Sequence, residues 1–381
     1  MAVFLDHNAT TPLDPRVLDA MLPWLRGTHG NPASVHRYGR EAHAALETAR
    51  RQVAALVNVQ PGQVVFTGGG TEADNLALKG VCHGTPQGRL LISSIEHAAV
   101  QEPADALARD GWSVARIPVD SECRLDLPAL EKMLGKDVRL VSLMLANNET
   151  GVIQGVQAVA ECVHQSGALL HTDSIQAAGK MLVDFAALGV DLMTLSAHKL
   201  NGPHGVGALI MNRRVELVPQ VTGGGQEQGL RGGTENLAGI VGFGKAAELA
   251  RTELDARSQK MQTLREQLEA GLKHMPGIRI FAEHAERLPN TVQIGVDGFD
   301  GEWLVMQLDK RGIAVSSGSA CHSGSGKPSH VLLAMGVDEA TARSAVRISL
   351  GMENSGEDVQ AVLAALTGIV SKRTGAVALA G

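Results

Sequence analysis

The sequence predicts an α/β protein built on a doubly wound, mostly parallel seven-stranded sheet, with a smaller α+β unit at the C-terminal end. Three observations carry this. Short apolar, β-branched runs alternate with amphipathic stretches through the middle of the chain, the pattern of strand–helix units on a parallel sheet. Nearly every run ends in a polar or glycine-rich cluster, as strands do where an open α/β sheet binds its ligand. Glycine is abundant (44 of 381 residues) and aromatics make up only 3%, which suits many tight βα turns better than an all-β fold.

The elements follow in order. The first dozen residues are too few for a unit of their own and are expected to pack with the C-terminal part. An amphipathic stretch, Ser34–Val57, precedes the first strand, Val64–Thr67. Leu90–Ser93, Val114–Val119, Val138–Leu145, Ala168–Thr172, Leu192–Leu195 and Gly207–Met211 read as the other six strands. Thr71–Lys79, Ala98–Asp110, Leu127–Leu134 and Val156–Ser166 read as helices between them. Glu235–His274 reads as one long charged helix leading out of the first domain. Beyond it come a strand near Thr291–Val296, a helix near Gly301–Arg311, strands near Ile313–Ser316 and Ala345–Ser349, and a last helix, Gly356–Ser371. The small apolar tail from Thr374 is expected to fray. The expected division is a large domain over 15–255 and a small domain of 1–14 plus 256–381.

Composition narrows the function. A net charge of −6 without long runs argues against direct nucleic-acid binding or a membrane-surface protein. No apolar run approaches a membrane span, and the N-terminus has no basic region followed by an apolar one, so the cytoplasm is the expected location. The four cysteines lie far apart with no Cys-x-x-Cys pair, so neither a disulfide framework nor a metal site is expected.

Ser196-Ala-His-Lys199, after the run Leu192–Leu195, is the most informative cluster. Lysine is rarely buried unless paired. In a low-dielectric cleft it loses its proton more readily and becomes a nucleophilic amine, as a Schiff base with an aldehyde requires. Alone, it equally suits a strand end reaching for solvent. Asp173 shifts the balance, because it ends Ala168–Thr172 about one βαβ unit upstream. A carboxylate and a lysine on the ends of two parallel strands can face one ligand. Pyridoxal phosphate needs that pair, the lysine for its aldehyde and the acid for its pyridinium nitrogen.

The other clusters leave alternatives. Gly68-Gly-Gly70 with Thr71 is either an anion cradle at a helix start or a plain turn with a threonine cap. His97 either stacks on a ring and shuttles protons or is structural, one of fourteen histidines. Asn148 either donates to a ligand or shapes a turn. Gln176 follows Asp173 by three residues and reaches the same ligand if the segment is helical. Ser196 and His198 flank the lysine within reach of a phosphate. A second glycine-rich stretch, Gly223–Asn236, contains Thr234; two anion cradles mean two sites, or one site shared across a dimer. Arg347, in Val346-Arg-Ile-Ser, suits a carboxylate by its fork of donors, or a strand salt bridge.

Taken in order, Leu5-Asp-His-Asn-Ala-Thr-Thr-Pro, Gly-Gly-Thr-Glu-x-x-Asn from Gly69, Asn-Asn-Glu-Thr-Gly from Asn147, His-Thr-Asp-x-x-Gln from His171, Ser-Ala-His-Lys-x-x-Gly-Pro from Ser196 and Arg-Gly-Gly-Thr-Glu-Asn from Arg231 resemble the cysteine desulfurases. These are pyridoxal-phosphate enzymes of fold type I in the class V aminotransferase group. The resemblance spans about residues 4 to 365. Ser316-Ser-Gly-Ser-Ala-Cys321-His-Ser-Gly-Ser-Gly is similar to the catalytic-cysteine loop, about 316–328 here, of the group I enzymes, the nitrogenase-associated and housekeeping iron–sulfur type.

The resemblance implies that Lys199 carries the cofactor and moves protons, while Asp173 pairs with the ring nitrogen. It gives Gln176 the ring oxygen, Asn148 the ring oxygen or substrate carboxylate, and His97 ring stacking and acid/base work. Gly70, Thr71, Ser196 and His198 hold the phosphate, joined by Thr234 from the partner of a homodimer. Arg347 clamps the substrate, L-cysteine. Cys321 takes its sulfur as a persulfide, leaves L-alanine, and passes the sulfur to an acceptor protein such as an iron–sulfur scaffold. The phosphate turn departs from the commoner Ser-Gly-Ala-Thr, and His322 stands where threonine or serine is usual. The chain ends earlier than the housekeeping members, whose C-terminal extension helps to bind the scaffold, so the acceptor stays open. The rivals are a fold-type-I enzyme without sulfur chemistry, which does not need Cys321, and a non-catalytic binding platform, which needs none of the set.

Overall fold

The computed structural model of the chain describes residues 2–317 and 327–378, with side chains through residue 371. In chain order the strands are β1 (Val3–Phe4), β2 (Val64–Thr67), β3 (Arg89–Ser93), β4 (Ser113–Ile117), β5 (Val138–Ser142), β6 (Leu169–Asp173), β7 (Leu192–Ser196), β8 (Gly207–Met211), β9 (Ile278–Ile280), β10 (Thr291–Val296), β11 (Ile313–Ala314), β12 (Ser316–Ser317) and β13 (Ala345–Ser349). The α-helices are α1 (Pro15–Arg26), α2 (Arg37–Leu56), α3 (Gly70–Gly84), α4 (Ala98–Arg109), α5 (Leu127–Met133), α6 (Val156–Ser166), α7 (Phe185–Leu188), α8 (Leu237–Thr252), α9 (Leu254–Lys273), α10 (Gly301–Asp309), α11 (His330–Ala334), α12 (Glu339–Arg343) and α13 (Gly356–Ala378).

The seven expected strands form one sheet in the order β2-β8-β7-β6-β5-β3-β4. Six run in one direction, and β8 runs antiparallel to both its neighbours. The connection Ala197–Val206 explains the reversal. It is shorter than the dozen or so residues a parallel crossover needs, so the next strand has to come back. Alternate residues feed opposite faces. Val65, Leu90 and Ile92 pack against Leu76 and Val81 of α3 and Leu107 of α4. Phe66, Leu91 and Val141 pack on the other side with Leu46 of α2, Val159 of α6 and Phe243 of α8. Helices on both faces make this a doubly wound α/β sheet.

A second, four-stranded antiparallel sheet has the order β12-β13-β10-β9. Its core joins Val292, Ile294, Val346 and Ile348 to Leu268 of α9, Leu304 of α10 and Val362 of α13. The start of the chain packs here: β1 pairs with β11, and Leu5 is fully buried in this core.

Two expectations need correction. Glu235–His274 is not one helix. The chain leaves helical geometry at Glu253 (φ −107°, ψ 9°), where the carboxylate pairs with Arg16 (2.5 Å) and Arg257 (2.7 Å). The break lets α8 pack on the large sheet and α9 on the small one. The last helix does not stop at Ser371 but runs to Ala378, because 372–378 contains no proline to end it. Helix α1 was not anticipated, although Asp14 before Pro15 is a strong start signal; the Asp14 side chain caps Arg16 N–H at 2.8 Å.

Candidate active site

The register of β6 and β7 sets Asp173 beside Thr194, and β7 runs straight into the turn Ala197–Lys199. Asp173 and Lys199 therefore stand at the carboxyl ends of adjacent parallel strands. Between the strand ends lies a cavity of about 330 Å³. Gly70, Thr71, His97, Asn148, Asp173, Gln176, Ser196, His198, Lys199 and Arg347, all expected from the sequence, line it together.

One end of the cavity is built on α3. Gly69 adopts φ 154°, a geometry that favours glycine, and turns β2 into the helix. A Cβ on Gly70 would collide with Ile175 and come within 3.4 Å of Ser196, so the backbone itself faces the cavity at the positive end of a fifteen-residue helix. His198 completes this end. Burial and the neighbouring Lys199 pull its pKa down to about 4, so at neutral pH it serves an anion by hydrogen bonding and not by charge. Its ring stacks on His204 with centroids 5.3 Å apart.

At the other end Asp173 Oδ1 accepts Ile175 N–H at 2.9 Å. Burial raises its pKa to about 6, against the pull of that N–H and of Lys199, so it is mostly ionised at neutral pH. Two further acids lie behind it that the sequence reading missed. Burial pushes Glu96 up to about 8, and burial with the charges of Asp173 and Glu96 pushes Asp74 up as well. Of the two acids nearest neutrality, Asp173 at about 6 gives up its proton before Glu96 at about 8. This donor set suits pyridoxal phosphate: an anion cradle at one end, an ionised acid for a ring nitrogen, and a lysine for an aldehyde.

Glu96 makes this arrangement testable. Its folded pKa lies above its unfolded value of 4.5, so the stability it contributes is full below that value and is lost as pH rises through about 8. Glu96→Gln mimics the protonated form. Thermal unfolding should therefore show wild type losing a few degrees more than Glu96→Gln between pH 5 and pH 8; equal losses would refute the assignment.

His97 caps α4, its Nδ1 accepting Ala99 N–H at 3.1 Å. When the ring is neutral its proton therefore sits on Nε2. Asn148 lies in the turn after β5, and its carbonyl accepts from Arg347 (3.1 Å) and from Asn8 Nδ2 (3.1 Å). Arg347, 2% exposed on β13, also pairs with Asp6 at 2.8 Å. It is at once a salt-bridged strand arginine and a wall of the cavity, and its Nε has no hydrogen-bond partner among the described residues.

The N-terminal segment matters more than the sequence suggested. Lys199 Nζ donates to Asn8 O and, at 2.6 Å, to Ala9 O. Gln176 Nε2 donates to Asn8 O at 2.9 Å. The Asn8 side chain also bonds Thr291 Oγ1 (2.8 Å) and accepts from Asn290 (3.0 Å). The only signal for Asp6, Asn8 and Ala9 was their place in the Leu5–Pro12 motif.

Two expected residues are not in the cavity. Thr234 is exposed and does not line it within its own chain, although the neighbouring Arg231 reaches Glu72 in the first turn of α3 at 2.9 Å. Cys321 and most of its loop lie outside the described residues. The flanks of that loop are described. Ser316 stands opposite Arg347 in the β12–β13 register, and Ser329 Oγ donates to Glu149 Oε2, next to Asn148, at 2.5 Å. The other cysteines do not line the cavity. Burial pushes Cys82 and Cys123 up to about 12 and raises Cys162 as well. Among the described residues no cluster could hold a metal, and no helix is long and apolar enough to cross a membrane.

The aminotransferase class-V family profile matches residues 3–362. A Cereibacter sphaeroides protein named cysteine desulfurase is 45% identical over 374 residues, covering 97% of this chain and 96% of that one. Among solved structures, a NifS-like protein matches with a TM-score of 0.92 at 39% identity, covering 97% of this chain and all of that one. A structure described as SspA in complex with cysteine matches with a TM-score of 0.82 at 32% identity, covering 92% and 99%.

Proposed function

Since the chain belongs to the class-V aminotransferase family and, within it, to the cysteine desulfurases, we propose that the cavity below Lys199 is where it converts L-cysteine to L-alanine and that Cys321 receives the sulfur. The reaction is L-cysteine plus the Cys321 thiol giving L-alanine plus a Cys321 persulfide. The C–S bond breaks, an S–S bond forms, and Cβ takes up a hydrogen. Carbon is formally reduced as the two sulfurs are oxidised, so no outside oxidant enters. The observation that carries this reading is the convergence of Lys199, Asp173, His97 and Arg347 on one cavity, with both flanks of the Cys321 loop fastened beside it.

Bound pyridoxal phosphate supplies the electron sink that lets the Cα–H and then the C–S bond break. Lys199 holds it and returns the Cα proton. Asp173 keeps a proton on the ring nitrogen, a task an ionised carboxylate suits. Gly70, Thr71, Ser196 and His198 hold the phosphate. Gln176 bonds the ring oxygen. Asn148 and Arg347 orient the substrate, the arginine through its carboxylate. His97 exchanges a proton at Nε2 and is the acceptor for the Cys321 thiol proton. An ordinary thiol near pKa 8.5 is only a few per cent ionised at neutral pH, so that transfer matters.

We extend the reading to the assembly. Two domains, 15–255 and 1–14 plus 256–381, are supported by the separate cores of the two sheets. A homodimer in which Thr234 of one subunit completes the phosphate site of the other is supported by Thr234 being exposed and off its own cavity; an active monomer in light scattering would reject it. A reducing cytoplasmic setting is supported by Cys82, Cys123 and Cys162 all being unpaired. A sulfur-acceptor protein, such as an iron–sulfur scaffold, follows from the persulfide, which has to be unloaded for turnover.

The test is product identity. Purified protein loaded with pyridoxal phosphate and given cysteine should release alanine in equal amount to the sulfur it transfers. 3-Mercaptopyruvate with aminated cofactor, and no alanine, would point to an aminotransferase instead.

A further inference from the structure

Lys180 is a lysine the reaction does not use. It follows β6, is 5% exposed, and lies behind the cavity, sharing with Lys199 a smaller void of about 30 Å³. No carboxylate pairs with it among the described residues. Its charged neighbours are cations. Burial first, then Lys199 and Arg347, pull its pKa down to about 7. His7 and His198 face it too. The nearby carboxylates are engaged elsewhere: Asp6 pairs with Arg347, Glu353 acts on His7, and Asp173 on Lys199. A buried amine among cations costs stability, so its presence calls for a task.

Its hydrogen bonds indicate one. Lys180 Nζ donates to Gln176 O at 2.9 Å and to Gln176 Oε1 at 3.1 Å. Charged or neutral, Nζ carries the two N–H groups these bonds use, and the amide atom it faces is the oxygen. The amide nitrogen is thereby turned the other way, where Asn8 O accepts it at 2.9 Å and where Gln176 lines the cavity.

We propose that Lys180 is a positioning residue acting through Gln176: it claims the amide oxygen, so that an N–H and not a lone pair is offered to the ring oxygen of bound pyridoxal phosphate. The inference rests on the cofactor reading above. A donor at the ring oxygen stabilises its negative charge after the proton shared with the Lys199–cofactor linkage has left. The linkage then loses its proton at lower pH than it would otherwise.

The experiment is a pH titration of the visible band of the loaded protein, with no substrate present. Lys180→Met should keep the band and raise its midpoint by about one unit, a tenfold change in proton affinity. Gln176→Ala should raise it similarly. Lys180→Met in the Gln176→Ala background should add no further shift, because the lysine acts through the amide. A direct effect of the Lys180 charge would persist in that background and would overturn the proposal. So would a Lys180→Met midpoint equal to wild type. If Lys180→Met does not fold, an unmoved midpoint in Gln176→Ala overturns the proposal by itself. A wild type that shows no such band overturns the cofactor reading, and this inference with it.

Discussion

Lys199→Ala is expected to bind pyridoxal phosphate without fixing it to the chain. After borohydride reduction and digestion, wild type should carry the cofactor on the peptide containing Lys199, and the variant should carry none. Alanine formation should fall by at least about a thousandfold, since one side chain supplies both the attachment point and the proton shuttle. The cradle at α3 and the acid at Asp173 remain in the variant, so the cofactor still binds by its phosphate and ring. The geometry makes the result specific. Lys199 Nζ is held by the carbonyls of Asn8 and Ala9 at the cavity wall, while Lys180 is turned away onto Gln176. An adduct mapping to Lys180 in wild type would sink the assignment.

Cys321→Ser should separate the two halves of the reaction. The variant keeps its cofactor and binds cysteine, because Lys199, Asp173 and Arg347 are untouched, and its visible spectrum changes on mixing. Persulfide and alanine should then fall by at least roughly three orders of magnitude, since loss of a covalent nucleophile can cost up to about a millionfold. A serine hydroxyl does not ionise usefully at neutral pH and cannot hold a transferable sulfane sulfur. The remaining cysteines offer no substitute. Cys82 and Cys123 are buried with thiols pushed up to about 12, and Cys162 donates to Val159 O on α6, off the cavity. Near-normal turnover by Cys321→Ser, with a persulfide mapped to any of these three, would overturn the mechanism.

The strands of the large sheet were legible because each is a short apolar run closed by a polar cluster, and those clusters are the site. Asp173 and Lys199 could be paired from sequence because parallel strands all present the same end to the ligand. The antiparallel β8 was not legible from its own residues; the length of the Ala197–Val206 connection was the available clue. Glu253 hid the break between α8 and α9, since glutamate is a good helix former and its two arginine partners lie across the fold and one turn away. Asp74 and Glu96 were missed because a lone acid beside apolar residues gives no sign of its burial. Lys180, in Gln-Ala-Ala-Gly-Lys, looks like an ordinary loop lysine until its depth is known.

The seat of Asn8 also ties the site to the completion of synthesis. Its main-chain N–H donates to Ser349 Oγ at 2.9 Å across 341 residues, and Asp6 holds Arg347 across the same separation. A nascent chain that has already folded its large sheet owns Lys199 and Asp173 but has no β13. Asn8 then lacks its bond to Ser349 and Asp6 lacks Arg347, so the segment carrying the carbonyl partners of Lys199 and Gln176 is held at fewer points. The residues that leave the ribosome among the first thus gain their last contacts only after a loop of 341 residues closes. The cavity is complete only when β13 arrives: a polypeptide that stops short of it has the cradle at α3, Asp173 and Lys199 but no Arg347 to hold a substrate carboxylate.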